Sequence, residues 1–111
     1  MLGLDGSNWG TGRPFRWREF ADIFHTQYTR LTTLDPTAPV WVCECGSKEP
    51  TVDDGAPVDA QHDKGARTRT MLFSTTFPRI TTLIAFNAEK ERDWRLDSFA
   101  SSRTALRVPA R

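Results

Sequence analysis

The chain has only two cysteines and two histidines in 111 residues, so thiolate and imidazole chemistry is confined to His25, Cys43, Cys45 and His62. A disulfide framework is excluded. The cysteines stand one residue apart, and bridging them would close a ring far tighter than structural disulfides adopt. No stretch approaches the roughly 18 apolar residues of a membrane-spanning helix, so no membrane association is expected. The first twelve residues lack the basic start and apolar centre of an export signal, which leads to the expectation of a cytoplasmic protein. Apolar residues are also sparse, at 38%. Four Trp and seven Phe compensate, because each aromatic ring buries far more area than an Ala or Val. A single small domain with an aromatic-rich core is expected.

Charge is nearly balanced overall, at +1, but unevenly spread. Residues 35–66 carry two Lys against seven acids, whereas residues 67–111 carry nine Lys or Arg against four acids. A basic C-terminal third suits an anionic partner, and it equally suits neutralisation of the acidic middle within the fold. Twelve of the fifteen basic residues are Arg.

Periodicity is strongest after Pro14, a good first-turn residue. At about 100° per residue, Trp17, Phe20, Ile23, Phe24, Tyr28, Leu31 and Leu34 form one stripe, with Arg18, Glu19, Asp22, Thr26, Thr29 and Arg30 outside it. This predicts an amphipathic helix over about residues 14–33, ended by Asp35-Pro36. Val40 to Cys45 reads as a short strand turning at Gly46. Residues 46–67 collect Gly, Pro and most of the acids and read as a long acidic loop. Thr68–Phe73 and Ile80–Phe86 are β-branched and aromatic and read as a hairpin, although Ile80, Leu83 and Ile84 also fit a helical period. Asn87 is a suitable N-cap for a second helix over about residues 88–99. The expected fold is therefore α+β: an N-terminal amphipathic helix packed on a small antiparallel sheet, a short C-terminal helix, and flexible termini. The domain spans residues 13–99, between a flexible arm at 1–12 and a basic tail at 100–111.

Cys43 and Cys45, with His62 and His25, make the minimum donor set for a Cys₂His₂ zinc site, so no cofactor is expected unless it is zinc. Strand alternation puts both cysteines on one side, but their spacing is shorter than a zinc knuckle prefers. His25 falls about 130° from the centre of the helical stripe. The competing interpretation makes both cysteines small, partly buried residues with free thiols. A thiol nucleophile with His62 as base is disfavoured by Glu44 and the acidic loop, which raise thiol pKa. The acidic residues Asp53, Asp54, Asp59 and Asp63 lack the spacing of a calcium loop. Paired carboxylates of the glycosidase type cannot be singled out among 14 acids without geometry. Arg92, Trp94, Arg95, Arg103 and Arg107 interleave cations with an aromatic and form the best candidate partner-binding set.

No residue set reaches a catalytic constellation, so the expected function is a non-enzymatic protein-binding or assembly subunit docking on a larger partner. The alternative is a zinc-stabilised nucleic-acid-binding module using the basic C-terminal third. A thiol enzyme is the third.

Overall fold

A computed structural model describes residues 1–10, 17–49 and 63–107. The elements run β1 (Leu2–Asn8), α1 (Phe20–Leu34), β2 (Val40–Ser47), α2 (Lys64–Leu72), β3 (Ile80–Ala85) and α3 (Ala100–Leu106). Among the described residues the strands form one sheet of order β1-β2-β3, and both neighbouring pairs are parallel. The fold is thus α/β, and the antiparallel α+β expectation is overturned. The chain opens with a strand, not a helix, because residues 2–8, expected in a flexible arm, pair with β2 from Leu2 to Asn8. Parallel neighbours require a long crossover, usually helical, and α1 and α2 supply the two crossovers.

The predicted hairpin fails for the same reason. Residues 68–72 belong to α2, so only residues 80–85 are strand, which also settles the helix-or-strand ambiguity there. Asp63 starts α2 as its N-cap, with Oδ1 accepting from the Ala66 N–H at 2.7 Å. Residues 88–99 form an irregular loop with one short bridge between Glu89 and Asp93, and the last helix lies further on, at α3. Residues 100–106, expected in a loose tail, are docked. Ser102 is fully buried, and a Cβ on Gly65 would come within 2.5 Å of Ser102 Cα, so α2 and α3 meet backbone to backbone.

Helix α1 begins at Phe20, so residues 17–19, expected within it, are not helical, and the expected start at residue 14 lies outside the described residues; its stripe is largely confirmed. Phe20 and Phe24 are buried, and Ile23, Tyr28 and Leu31 pack beside them. Leu34, the last stripe residue, is instead 79% exposed. The helix stops where Asp35 Oδ1 accepts from the N–H groups of Thr37 and Ala38, a local turn that competes with further helix. Leu4, Val40, Val42, Cys45, Met71 and Phe77 complete one core with Phe20 and Phe24. Both α1 and α2 therefore cover the same face of the sheet. Gly6 allows the approach, since a Cβ there would meet Ile23 at 2.6 Å.

Strand alternation, corrected by a register shift between Leu4 and Asp5, sorts the rest. Leu2, Leu4, Gly6 and Asn8 face the helices with their partners Val40, Val42, Cys45 and Ser47. Gly3, Asp5 and Ser7 face the other side with Trp41, Glu44 and Gly46. Among the described residues, no helix is long and apolar enough to cross a membrane.

Candidate functional site

The register shift in β2 separates the two cysteines. Cys45 is buried on the helix side, its Sγ 3.7 Å from Met71 Sδ, and burial pushes its thiol pKa up to about 12. Cys43 Sγ lies over Gly3, on the opposite face. Simple alternation had put them on one side; the bulge changes that, and the two thiols do not converge. His62 lies outside the described residues. His25 is exposed on α1, beside Trp17, Arg18, Asp22 and Thr26. Among the described residues, no three His, Cys, Asp or Glu side chains gather as metal ligands.

The proposed partner-binding set is likewise dispersed. Trp94 is 3% exposed and faces inward. Arg95 turns back onto Asp93 at 2.9 Å and Glu89 at 3.3 Å, and this pairing holds the Asp93 carboxyl at about 2. Arg92 donates to the neighbouring Glu91 carbonyl. Arg103 and Arg107 stand on or beside α3, along a shallow hollow with Leu96, Asp97 and Leu106.

What the tertiary structure does bring together lies on the open face, at the carboxyl ends of the strands. Ser7, Trp9, Glu44, Phe86, Lys90, Glu91 and Trp94 line a cleft of about 230 Å³. Glu44 comes from β2, the middle strand, and its side chain is exposed there. Trp9 follows β1 and Phe86 follows β3. Backbone hydrogen bonds pin these ends side by side: Phe86 N–H donates to the Cys45 carbonyl at 2.8 Å, and Lys48 N–H to that of Asn8 at 3.2 Å. The Ser7 hydroxyl accepts from Gly46 N–H at 3.2 Å.

Three aromatics form the cleft wall. Trp94 meets Trp9 edge-on with ring centroids 5.0 Å apart, and Phe86 stands 6.5 Å away at 72°. Such edge-to-face contacts add about 0.5–1.5 kcal/mol each beyond burial. The indole rests directly on Gly46, where a Cβ would sit 2.9 Å from the ring. Of the two carboxylates, Glu91 is tied to Lys90 at 3.1 Å. A hydrogen bond from its own backbone N–H and the Lys90 ammonium lower its pKa, which suits a permanent anion and disfavours proton donation. Among the described residues no cation pairs with Glu44, the carboxylate open to the cleft. In open α/β sheets and in β/α barrels, ligands bind at the carboxyl ends of the strands, so this cleft is the candidate site. A second space, of about 20 Å³, lies between sheet and helices beside Arg67 and Met71; it is large enough for one water and no ligand.

In the sequence Glu44 stands out only as a charge between two cysteines, and nothing near it in the chain marks it as a cleft residue. The one usable signal was an isolated acid inside a short apolar strand that ends in Gly.

No family model matches the chain. Over 106 residues it is 24% identical to endoglucanase H of Acetivibrio thermocellus. That alignment covers 94% of this chain and 11% of the relative's length. The chain is therefore similar to one short segment of that protein and spans about a tenth of its length.

Proposed function

We propose that the chain is a βαβαβ unit of a glucan-hydrolysing β/α barrel, in which Glu44 is one of the reacting carboxylates. The observation that carries this is the position of Glu44: on the middle of three parallel strands, at their carboxyl ends, in a cleft walled by Trp9, Phe86 and Trp94. The winding supports it. Successive parallel neighbours with both crossover helices on one face are the repeating unit of a β/α barrel. So does the uncovered face, which carries Trp41 and the 49%-exposed Ile84. Parallel sheets normally have both faces covered, and further strands of the same barrel would cover this one. The larger partner expected from sequence is then the remainder of such a barrel.

Glycoside hydrolysis takes two carboxyl groups, one protonating the leaving oxygen and the other acting at the anomeric carbon or on its water. Glu44 takes the second role. Glu91, held anionic by Lys90 and its own backbone, does not take the first, so the proton donor comes from another strand end. The partly exposed rings of Trp9 and Phe86 offer apolar surface to sugar rings, with buried Trp94 backing them, while Ser7 and Lys90 offer donors to hydroxyls. Glu44→Gln in the protein as its source makes it should reduce sugar release from a panel of soluble α- and β-linked glucans by about 10²–10⁴-fold. Thermal stability should be unchanged, Glu44 being exposed. Retention of full activity by Glu44→Gln, or no hydrolysis of any glucan by the native protein, would refute the assignment.

A further inference from the structure

Lys64, the first residue of α2, is fully buried. Its ammonium donates to the carbonyl oxygen of Asp93 at 2.8 Å and lies 5.5 Å from the centroid of the Phe99 ring. Burying an ammonium is expensive unless it is well partnered. Here desolvation lowers the pKa, and nearby Asp93, Glu49 and Asp97 oppose that shift. A methionine would fill the same space without the desolvation cost, so packing alone does not account for a charge at this position.

The carbonyl it holds belongs to the residue immediately before Trp94. Hydrogen bonds within the loop after β3 also shape it: Asn87 Oδ1 accepts from Leu96 N–H at 2.7 Å, and Asp93 grips Arg95. Trp94 N–H reaches back to the Ala88 carbonyl at 3.0 Å. These bonds give the loop its own shape but do not fix it to the helix layer. Lys64 does. Its own backbone is held in turn, since Lys64 N–H donates to Glu49 at 3.4 Å and Asp63 caps the helix.

We infer that Lys64 is a positioning residue for the Glu44 cleft: from α2 it holds the Asp93–Trp94 backbone so that the indole stays on Gly46 and against Trp9, forming the cleft wall. Its relevance to catalysis rests on the function proposed above for Glu44, whereas its effect on Trp94 is independent of that function. Placing a ring to within a fraction of an ångström is what separates a formed site from a loose one.

The test uses the full chain labelled with 5-fluorotryptophan, which gives one fluorine signal per tryptophan, Trp94 being assigned with Trp94→Phe. Lys64→Met should shift or broaden the Trp94 signal and raise its solvent-isotope effect, while the Trp41 signal stays in place. A folded Lys64→Met chain with an unmoved Trp94 signal overturns the inference, as does equal movement of all the tryptophans in a folded chain. If Lys64→Met does not fold, the native chain decides, through ¹⁵N-labelled lysine ammonium groups. Exchange of the Lys64 ammonium protons at least about 10-fold slower than those of Lys90, with contacts to the Phe99 ring, supports the strut; exchange at the Lys90 rate overturns it. Glucan titrations on both proteins separate the two ideas. Absence of glucan binding by native protein removes the catalytic reading of Glu44 and leaves the Trp94 result standing.

Discussion

Gly65→Ala offers a test in which two physical effects compete with opposite sign. Gly65 is the second residue of α2, and in an isolated helix alanine is more favourable than glycine by up to about 1 kcal/mol. In the folded chain, however, the new Cβ would lie 2.5 Å from Ser102 Cα and 2.7 Å from its carbonyl carbon, with Ser102 fully buried. Both obstacles are backbone, so no side chain can rotate away and α3 must move by most of an ångström. Overpacking of this kind costs roughly 1–3 kcal/mol. A net loss of about 1–2 kcal/mol is expected, which in a domain of this size lowers Tm by about 4–8 °C per kcal/mol. A double-mutant cycle isolates the contact. Once residues 100–111 are deleted, the obstacle is gone and Gly65→Ala should become neutral or stabilising, by up to about 1 kcal/mol. Denaturant melts of the four proteins supply the cycle. If Gly65→Ala raises the stability of the intact chain, α3 does not pack where described and the docked C-terminal helix is wrong.

Phe24, 1% exposed at the centre of the core, should cost about 3–5 kcal/mol on replacement by Ala, against less than about 0.5 kcal/mol for Thr26→Ala on the exposed face of α1; equal losses in melts would contradict the helix orientation. Gly46→Ala should push Trp94 off the sheet and shift tryptophan emission to longer wavelength, and unchanged emission would mean the indole does not rest there. Native protein treated with iodoacetamide at pH 8 should be modified at partly exposed Cys43 and spared at buried Cys45, which should react only after unfolding; mass spectrometry of the peptides reads this directly. Because burial raises the Cys45 pKa from 9.0 to about 12, the unfolded chain loses that proton first. The stability due to the neutral thiol is complete below about pH 9 and declines as pH rises towards 12. Melts across that range with Cys45→Ala as reference check the sign, and a wild-type chain that gains stability relative to it would overturn the assignment.

By itself the sequence determined the amphipathic face of α1, the stop at Asp35-Pro36, and the apolar segments that become β2 and β3, because each is written in neighbouring residues. It did not determine the direction in which the strands pair. A short run such as Ile80–Ala85 has the same pattern whether its neighbour runs parallel or antiparallel, and only the two crossover helices decide between them. Residues 68–72 show the competition plainly: Thr-Arg-Thr-Met-Leu suits a strand by local preference, yet Asp63 as N-cap, buried Met71 and the close contact of Gly65 with α3 make it helix. Residues 2–8 carried too little apolar pattern to be seen as a strand, since Gly3 and Gly6 are there for close approach and not for burial. Glu44 was one acid among fourteen. Its significance comes from Trp9, Phe86 and Trp94, distant in sequence and brought beside it by three parallel strands ending at the same edge, and no periodicity within any one segment encodes that convergence.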